Sequence, residues 1–592
     1  MMKLRSATAA DAKLLFEWVN SPSSLTGKIK TNGAIAWADH ARWLEQRLSD
    51  PGTSIWIGER GEAAVGQVRL QKAETGESSV FDVDIFVADG ARRQGCAKEL
   101  LTGAVQLMAQ RWPGARLRAS VRDDNKASQE LFQSLGYRVV GRESGHRVYM
   151  SEPVLANARG PAPRSFAKSN ALYRRALETV PLATQTFSKS AMNFVVGAAP
   201  LFLERGEGGE VWDVDGNSYI DYVLGLLPVI LGYRDPDVDR AITGQLERGI
   251  SFSLATELEA EVAELLVRLI PSAEMVRFGK NGSDATTAAI RLARAITGRD
   301  LVAACGYHGW HDWYIGTTTR NLGVPKAVQA LTRTFAFNDA ASLDKVLSSE
   351  PGQFAAVILE PTGAVEPSAS FLKDVQELAS RHGALLVFDE IITGFRVSMG
   401  GAQKVFGITP DLSCFGKAMA NGMPISAIVG PREHMKAMES IFFSGTFGGE
   451  ALSLAAARAT IEKCERLGVP ERLDALGRRL MAAASESIDR CGLSELMAFT
   501  GAGWWPRLAL KDCRDVDRIT LTSLIRQETA AQGLLMGSSF NLCLAHDDPR
   551  IVDETTSRWQ AALLAVADAL DDADPASRVR GEPVQPVFTV RN

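Results

Sequence analysis

The sequence lacks any apolar stretch of the roughly 18 residues that a membrane-spanning helix needs. Its first residues, Met1-Met2-Lys3-Leu4-Arg5, do not lead into the short apolar core of a secretory signal. Neither sign of charge dominates, since 65 Lys and Arg against 70 Asp and Glu leave a net charge of −5. Nucleic-acid binding relies on a basic surface that meets the phosphates. We therefore expect neither a membrane nor a nucleic acid as a partner.

Cysteine and histidine are also scarce, with seven of each in 592 residues. The cysteines are scattered, and His308, His311 and His382 have no cysteines or acids at metal-ligand spacing, so we expect no metal site. Scattered thiols indicate reduced cysteines and a cytoplasmic protein. With 46% hydrophobic and 23% charged residues the chain is typical of folded proteins, and it is too long for one ordinary domain.

The clearest change of composition lies at residues 153–168, which hold three prolines and one glycine and show neither helical nor strand periodicity. This segment is interpreted as a linker. We therefore predict one domain at residues 1–152 and a second at residues 169–592.

The first domain has a mixed order of helical and strand patterns, typical of an α+β fold. In Ser79–Val87, apolar side chains alternate with Asp82, Asp84 and Phe86, as expected of a strand. The other predicted elements are helices at Ala10–Asn20, Ile35–Leu48, Arg93–Gln110 and Lys126–Leu135, and strands at Ser54–Glu59, Ala64–Gln71 and Arg116–Val121.

The second domain alternates helices with short apolar strands such as Leu301–Cys305, Ala355–Leu359 and Ala384–Phe388. Compact apolar runs of this kind are typical of strands buried on both faces of a mostly parallel sheet, so we predict an α/β fold. From about residue 450 the chain is rich in helical patterns, with a strand region near Trp505–Leu510, which suggests a smaller lobe.

The most informative segment places Asp389-Glu390 after a buried apolar strand and Lys417, between two small residues, further along the chain. Carboxylates at the C-terminal end of a strand lie where open α/β sheets bind ligands. An acid that can pair with a ring nitrogen and an amine that can form an imine are what pyridoxal phosphate chemistry needs. Taken alone, each of these residues also fits an ordinary structural role.

Several motifs in order across roughly 400 residues make the case together, and on them the second domain resembles the class III aminotransferases. Within that family it is similar to the branch of glutamate-1-semialdehyde aminomutase, and the fold implied is fold type I of the pyridoxal phosphate (PLP) enzymes. The matching motifs are Trp212-Asp-Val-Asp-Gly-Asn, Tyr219-Ile-Asp-Tyr, Asn281-Gly-Ser-Asp-Ala, Tyr307-His-Gly, Phe388-Asp-Glu-Ile-Ile-Thr-Gly-Phe, Gly416-Lys417 and Gly445-Thr446-Phe447.

The resemblance implies roles for individual residues. Lys417 would hold the cofactor as an internal aldimine and then move protons, and Asp389 would pair with the pyridinium nitrogen. Gly282 and Ser283, which precede a helix pattern at Asp284–Thr297, would meet the phosphate.

Four further residues complete this implied site. Tyr307 and Ile391 would contact the two faces of the cofactor ring. Thr446 would complete the phosphate site of the neighbouring subunit, which implies a homodimer. Glu360 would either gate the second half-reaction or be a structural carboxylate.

One departure from the aminomutase concerns its substrate. That enzyme grips a carboxylate with an arginine before the Pro-Leu-Phe segment, whereas here Ala191 or Met192 falls near that place, and Leu226-Leu227 replace a more polar pair. A methyl group or a thioether does not replace a guanidinium. The sequence therefore favours transamination of another carbonyl compound, although Lys189 remains as an alternative cation.

A glycine-containing turn joins a strand to a helix in the first domain, at Val87-Ala-Asp-Gly-Ala-Arg92-Arg93-Gln94-Gly95-Cys96-Ala97. Backbone amides in such a turn suit a pyrophosphate. Together with Asn125-Lys-Ala-Ser-Gln-Glu-Leu-Phe and the opening Leu4-Arg5-Ser-Ala-Thr, this turn resembles the GNAT N-acetyltransferases, especially those acting on nucleotide-linked amino sugars.

For this domain the resemblance implies acetyl-CoA as co-substrate. Its pyrophosphate would be held by the turn that contains Val87, Arg92, Arg93, Gly95 and Ala97. Asn125 would contact the pantetheine arm.

The catalytic acid of this domain stays open. The position at which many relatives carry a tyrosine is Phe132 here, Tyr137 is nearby, and Asp82 or Asp84 could relay a proton through water.

Taken together, the two domains predict a bifunctional enzyme. A PLP-dependent transamination of an oxo-sugar or related carbonyl compound would give an amine, which acetyl-CoA would then N-acetylate, in surface-glycan amino-sugar biosynthesis. The alternative is a glutamate-1-semialdehyde-type 2,1-aminomutase with a non-catalytic N-terminal domain that binds acyl-CoA.

Overall fold

The structure is a computed structural model of the whole chain, and it divides into two compact units, residues 1–162 and 163–592. The residues described are 3–22, 24, 33–50, 52–61, 63–73, 80–92, 95–112, 115–135, 137–143, 145–151, 164–511 and 516–585.

The first unit is built on a seven-stranded sheet in the order β1-β2-β3-β4-β5-β7-β6. All neighbouring strands pair antiparallel except β4 and β5, which run parallel. The strands are β1 (Lys3–Ser6), β2 (Thr53–Arg60), β3 (Ala63–Lys72), β4 (Val80–Val87), β5 (Arg116–Arg122), β6 (Arg138–Glu143) and β7 (His146–Met150). The helices are α1 (Ala12–Val19), α2 (Trp37–Ser49), α3 (Cys96–Arg111) and α4 (Lys126–Ser134).

The two parallel strands of this sheet separate along their length. Pairing between β4 and β5 covers only Val80–Asp82 against Arg116–Arg118, although β4 continues to Val87 and β5 to Arg122. Beyond Asp82, the side chains of Val83, Ile85 and Val87 are only partly buried. The sheet therefore opens a gap whose edge is the backbone of β4.

The second unit is built on another seven-stranded sheet, in the order β11-β17-β16-β15-β14-β12-β13. Six of its strands run in the same direction, and β17 alone runs the opposite way, pairing antiparallel with both of its neighbours. Every residue of β12 and of β14 is buried, because helices cover both faces of the sheet. These strands are β11 (Met275–Gly279), β12 (Leu301–Cys305), β13 (Thr332–Thr334), β14 (Phe354–Leu359), β15 (Leu385–Asp389), β16 (Leu412–Phe415) and β17 (Ser426–Gly430).

Two smaller sheets lie outside this central one. The four-stranded sheet has the order β20-β10-β9-β8, and the two-stranded sheet pairs β18 with β19. Their strands are β8 (Leu203–Glu207), β9 (Glu210–Asp213), β10 (Ser218–Asp221), β18 (Met497–Thr500), β19 (Arg507–Leu510) and β20 (Leu534–Leu535).

Several helices of the second unit bury an apolar face. Helix α15, for example, packs Leu454, Ala457, Ile461 and Cys464 into the largest hydrophobic core. The helices are α5 (Ala167–Leu177), α6 (Pro236–Leu246), α7 (Glu257–Leu269), α8 (Gly282–Thr297), α9 (Asp312–Ile315), α10 (Lys326–Gln329), α11 (Ala340–Ser349), α12 (Phe371–His382), α13 (Gly401–Phe406), α14 (Arg432–Met435), α15 (Ala451–Leu467), α16 (Val469–Arg490), α17 (Arg518–Ala531) and α18 (Pro549–Leu570).

Both fold predictions are confirmed, the α+β unit followed by the α/β unit with a mostly parallel sheet. The segment interpreted as a linker lies mostly outside the described residues. Its last residues, 164–168, are held by the second unit, where the Arg164 guanidinium donates to the backbone carbonyl of Ser218 at 2.8 Å and lies over the ring of Tyr219. Among the helices in the described ranges, none is long and apolar enough to cross a membrane.

Candidate active sites

Asp389 ends β15 at the C-terminal edge of the parallel sheet and is almost fully buried, with 4% of its surface exposed. Its Oδ2 lies 2.8 Å from Nδ1 of His308, and its Oδ1 accepts the backbone N–H of Ile391 at 3.1 Å. The other ring nitrogen of His308, Nε2, lies 3.1 Å from the carbonyl oxygen of Cys305. A carbonyl only accepts, so Nε2 carries a hydrogen and the contact with Asp389 must contain a further proton.

His308 is a residue whose role sequence analysis missed. It was considered only as a metal ligand, yet it is buried and its ring lies parallel to that of Trp313. Its position directly after Tyr307 in the Tyr-His-Gly motif was the available signal.

Lys417 follows β16 after Gly416 and adopts a left-handed backbone conformation with φ of +40°. Burial lowers the pKa of its amine, and the charges of Glu360 and Asp389 oppose that shift. A lysine whose pKa is lowered has more of the neutral, nucleophilic amine near neutral pH. The structure therefore brings Lys417, Asp389 and Glu360 within electrostatic range of one another.

Glu360 follows β14 at the same edge of the sheet, and its Oε2 accepts the backbone N–H of Tyr307 at 3.0 Å. Burial raises the pKa of this carboxyl group, and the charge of Asp389 raises it further. The hydrogen bond fixes the start of the Tyr307-His308-Gly309 loop. Tyr307 itself leaves 45% of its surface exposed, so its ring can contact a ligand.

Helix α8 begins at Gly282, with Asn281 and Asp284 forming a capping box at its N-terminus. Ser283 Oγ accepts the backbone N–H of Trp310 at 3.2 Å. A Cβ added at Gly309, which has φ of +101°, would lie 2.2 Å from that same oxygen. Only glycine allows this loop to approach the start of the helix so closely.

Ile391 packs against two glycines of the predicted site. A Cβ at Gly282 would lie 3.1 Å from Ile391 Cγ2, and a Cβ at Gly416 would lie 3.1 Å from its Cδ1. The absence of both side chains lets Ile391 lie close to the start of α8 and to the residue before Lys417.

Thr446 is a further predicted residue of this group. It is exposed in the turn that precedes α15, next to the exposed Phe447. Glu390, by contrast, holds structure: its carboxylate accepts the backbone N–H groups of Ala402 and Gln403 at 2.8 and 2.9 Å.

The residues present fit pyridoxal phosphate. The N-terminus of α8 with Ser283 offers donors for a phosphate, Asp389 is positioned by His308, and the amine of Lys417 makes no hydrogen bond to the described residues. Glycine at 282, 309 and 416 lets Ile391 and Ser283 lie closer to the backbone than a Cβ at these positions would allow.

In the segment of the missing arginine, Ala191 and Met192 begin a short 3-10 turn, and both are half-buried. Lys189 is exposed. Described residues within this turn therefore supply no guanidinium.

In the first unit the predicted acetyl-CoA turn joins β4 to α3. The carbonyl of Val87, at the end of β4, accepts Nε of the exposed Arg92 at 3.1 Å. Gly95 has φ of +77° directly before α3, and Ala97 lies in the first turn of that helix. Arg93 lies outside the described residues.

Asn125 caps helix α4, its Oδ1 accepting the backbone N–H of Ser128 at 3.1 Å. Asn125 follows β5 closely, at the end where this strand no longer pairs with β4. The gap between the two strands, which the sequence did not reveal, places Val87 and Asn125 on its two sides.

Two of the candidate acids of this unit, Asp82 and Asp84, are each paired with an arginine. Asp82 forms two hydrogen bonds with Arg118, at 2.7 and 3.1 Å, and Asp84 pairs with Arg69 at 2.9 Å. Phe132 is buried against Tyr137. The hydroxyl of Tyr137 is buried without a hydrogen-bond partner among the described residues, and burial raises its pKa.

Asp389 ends strand β15 of the parallel sheet, and Lys417 and the start of α8 lie at the same edge. This arrangement defines a pyridoxal-phosphate enzyme of fold type I. The chain belongs to the class-III aminotransferases, whose sequence model matches residues 192–491. The model of the GNAT acetyltransferase domain matches residues 2–138, which lie in the first unit. The cofactor of the aminotransferase domain is pyridoxal phosphate, and the co-substrate of the GNAT domain is acetyl-CoA.

Two curated relatives match this chain over most of their own length. A glutamate-1-semialdehyde 2,1-aminomutase from Roseiflexus castenholzii is 42% identical over 414 residues, 65% of this chain and 93% of the relative. A 3-aminobutyryl-CoA aminotransferase from Cloacimonas acidaminovorans is 40% identical over 354 residues, 58% of this chain and 84% of the relative.

Solved structures support the same fold. The FumI protein of Sphingopyxis sp. MTA144, in its PLP internal aldimine form, matches with a TM-score of 0.65 and 29% identity, covering 69% of this chain and 99% of its own. An omega-transaminase from Sphaerobacter thermophilus matches with a TM-score of 0.60 and 26% identity. The match covers 67% of this chain and 97% of that structure's chain.

Proposed function

We propose that the protein is a bifunctional enzyme that transaminates an oxo-sugar or related carbonyl compound and then N-acetylates the amine it has formed, in surface-glycan amino-sugar biosynthesis. The observation that carries this proposal is the presence, on one chain, of an amine-forming domain and an amine-acetylating domain. The product of the first has the functional group that the second consumes, and a shared chain raises the local concentration of that amine.

The residues of the second unit would act as follows. Pyridoxal phosphate supplies an aldehyde and an electron-withdrawing ring. Lys417, as a neutral amine, would bind that aldehyde and later carry a proton to and from the substrate carbon. Asp389, oriented by His308, would hold a proton at the ring nitrogen. The amides at the start of α8 and Ser283 would bind the phosphate.

In the first unit, the turn from Val87 to Ala97 would bind the pyrophosphate of acetyl-CoA, and the gap between β4 and β5 would admit its pantetheine arm. Holding thioester and amine together lowers the entropic cost of acetyl transfer. The proton acceptor and donor for this step remain unassigned.

We also propose a homodimer in the cytosol. Exposed apolar residues cluster on two adjacent segments, with Ile250, Phe252 and Leu254 on one and Phe442 and Phe447 on the other. These segments are joined by a hydrogen bond, in which the backbone N–H of Ala451 donates to the carbonyl oxygen of Ile250 at 2.9 Å. A second copy would cover this patch and would bring Thr446 to its neighbour's site. The six described cysteines are free thiols, which suits a reducing compartment.

The dimer is tested by measuring the molar mass in solution for the wild type and for a Leu254→Asp, Phe442→Asp variant. We expect a dimer that the two charges convert to a monomer with weaker cofactor binding. A wild-type monomer that binds the cofactor tightly would contradict the proposed dimer.

A second function is favoured by the relatives, several of which are glutamate-1-semialdehyde 2,1-aminomutases. In that case the first unit would bind acyl-CoA without catalysis. The residues Ala191 and Met192, in place of an arginine, weigh against it.

One experiment separates the two functions. Purified holoenzyme is incubated with a panel of nucleotide-linked oxo-sugars, L-glutamate and acetyl-CoA, and products are identified by mass spectrometry with acetyl-CoA omitted as control. We expect an amino sugar without acetyl-CoA and an acetamido sugar with it. Formation of 5-aminolevulinate from glutamate-1-semialdehyde, with no product from the panel, would overturn the proposed function in favour of the aminomutase.

A further inference from the structure

Arg396 is a fully buried cation in the segment that follows Asp389, with 0% of its surface exposed. Its Nη1 donates to the carbonyl oxygen of Leu542 and its Nη2 to that of Leu227, both at 2.8 Å. Its Nε is buried without a hydrogen-bond partner among the described residues. In the part of the chain that the structure describes, the guanidinium is therefore bound by backbone carbonyls and by no carboxylate.

The charge of Arg396 is not cancelled by the titratable groups around it. Burial lowers the pKa of the guanidinium to about 10, so it still carries its charge at neutral pH. The groups within electrostatic range are the thiols of Cys464 and Cys543 and the imidazole of His546. Burial raises the pKa of both thiols to about 12 and lowers the pKa of the imidazole to about 4, so all three are neutral.

The loop that carries Arg396 packs against the end of the strand that leads to Lys417. The ring centroid of Phe395 lies 5.8 Å from that of Phe415, two residues before Lys417. A Cβ added at Gly394 would clash with the same ring of Phe415. This packing brings Arg396 within electrostatic range of the Lys417 amine.

Hydrogen bonds from Arg396 and from the turn after Lys417 hold one short backbone segment. Four consecutive residues of it, 224–227, have φ between +46° and +82°, and three of them are leucines. Leucine keeps such a conformation only where its surroundings hold it. Arg396 binds this stretch at its last carbonyl, and the side chain of Asn421 binds the backbone of residues 231–232 at 2.8 and 2.9 Å. The place of the guanidinium relative to Lys417 is thereby fixed.

We infer that Arg396 is a positioning residue whose uncancelled charge keeps the amine of Lys417 neutral. This inference rests on the proposed function only through the role given there to Lys417. Glu360 and Asp389 face the amine from the ends of β14 and β15 and favour its protonated form, and Arg396 opposes them from the loop beyond β15. An amine binds an aldehyde only in its neutral form, so a buried cation nearby favours the reactive state.

The test measures the protonation of Lys417 directly in the full-length apo-protein. Apo-protein is labelled with a trace of acetic anhydride, a small uncharged reagent that acylates neutral amines, over a range of pH. Mass spectrometry of the peptides gives the rate of acetylation at each lysine, and the midpoint of the rate profile reports the protonation of its amine. Lys280, whose amine pairs with Glu450 at 2.9 Å, is the internal comparison.

Two variants separate the charge of Arg396 from its hydrogen bonds. Arg396→Gln removes the charge, and Arg396→Lys keeps the charge without the planar fork. The matched control is Arg299→Gln, because the guanidinium of Arg299 also donates to backbone carbonyls, those of His382 and Gly383, at 2.9 and 2.7 Å. Each variant is first compared with the wild type by circular dichroism.

We expect Arg396→Gln to raise the Lys417 midpoint by about half a pH unit or more, because a unit charge is lost from a poorly screened interior. Arg396→Lys should keep the midpoint within about 0.2 unit of the wild type, although looser packing weakens cofactor binding. Arg299→Gln should leave the midpoint in place, and Lys280 should titrate alike in every variant.

A further variant tests the charge with the arginine and its two hydrogen bonds retained, in case Arg396→Gln does not fold. Cys464→Asp places a carboxylate within electrostatic range of the guanidinium. It should raise the Lys417 midpoint as Arg396→Gln does, whereas Cys464→Ser should leave it unchanged.

An unchanged or lowered midpoint in Arg396→Gln, or an equal rise in Arg396→Gln and Arg396→Lys, would overturn the inference. If Arg396→Gln does not fold, an unchanged midpoint in Cys464→Asp would do the same. The labelling uses no sugar, amino donor or acetyl-CoA, so its result does not depend on the product panel. A failure of the proposed oxo-sugar function therefore remains distinguishable from a failure of the role assigned to Arg396.

Discussion

Asp389 Oδ2 lies 2.8 Å from Nδ1 of His308, whose other ring nitrogen lies 3.1 Å from the carbonyl oxygen of Cys305. This contact fixes the orientation of Asp389 at the C-terminal edge of the sheet. A carboxyl group fixed in this way would be held ready to pair with the ring nitrogen of the cofactor, and His308 would act on that ring only through Asp389.

Replacement of His308 tests this positioning role. We expect His308→Gln to lower cofactor affinity and transamination by roughly tenfold or more, because Asp389 loses a charge-assisted hydrogen bond in a buried site. Cofactor affinity is measured by absorbance titration of the apo-protein. The matched control is His382→Gln, since His382 also faces an aspartate, Asp344, but at 3.7 Å and away from the site. Equal affinity in the two variants would contradict the role of His308.

The pH dependence of cofactor capture follows from Lys417. Burial lowers the pKa of its amine, so the neutral, reactive form persists to lower pH than for a free lysine, whose pKa is about 10.4. We expect the rate at which apo-protein binds pyridoxal phosphate covalently to rise with pH and to level off below that value.

The neighbouring carboxylate of Glu360 allows a second test of this prediction. Glu360→Gln removes a negative charge that opposes the shift, so the midpoint of the rate profile should move to lower pH. Glu366→Gln, at an exposed glutamate nearby, should leave the midpoint in place. A midpoint at the value of free lysine, or a move to higher pH in Glu360→Gln, would contradict the account.

Gly309→Ala tests the close approach between the Tyr-His-Gly loop and helix α8. The added Cβ would lie 2.2 Å from Ser283 Oγ, so the loop or the serine must shift, and the phosphate site with it. We expect a loss of stability of about 2 kcal/mol or more together with weaker cofactor binding. The measurements are denaturant unfolding and cofactor titration.

The control for this change is Gly298→Ala. Gly298 also has a left-handed backbone, with φ of +66°, but no atom lies within 4 Å of its added Cβ. Gly298→Ala should lower the free energy of unfolding only by the cost of backbone strain, about 1 kcal/mol, and should leave cofactor binding unchanged. Equal cofactor affinity in both variants would show that Gly309 does not shape the site.

Tyr137→Phe addresses the unassigned acid of the acetyltransferase unit. The hydroxyl of Tyr137 makes no hydrogen bond to the described residues and is buried, so its removal should leave stability unchanged or raise it by up to about 1 kcal/mol. We expect acetyl transfer, followed by thiol release from acetyl-CoA, to stay within about twofold. Tyr149→Phe, at another buried hydroxyl without a partner, is the control. A loss of acetyl transfer of about a hundredfold in Tyr137→Phe alone would instead identify the acid.

Periodicity and turn chemistry predicted much of the fold. The strand at Leu301–Cys305 was predicted at its observed bounds, and α8 was predicted from Asp284 where the structure begins it at Gly282. Strand β1 was missed because four residues are too few to show a period. The register that opens β4 from β5 was also missed, because it is a property of two strands together.

The site was predictable where a motif carried the chemistry and was missed where only the fold brings residues together. Lys417 and Asp389 were found from their motifs, while the contact of His308 with Asp389 depends on strands β12 and β15 ending at one edge.

Lys417 is expected to hold the cofactor covalently. Holoenzyme is reduced with borohydride, digested and analysed by mass spectrometry, with Lys280 and the other lysines of the chain as internal comparisons. We predict a reduced pyridoxyl adduct on Lys417 and its loss, together with the cofactor absorbance, in Lys417→Ala. An unmodified Lys417 in a reduced protein that retains the cofactor, or an adduct on another lysine, would contradict the account.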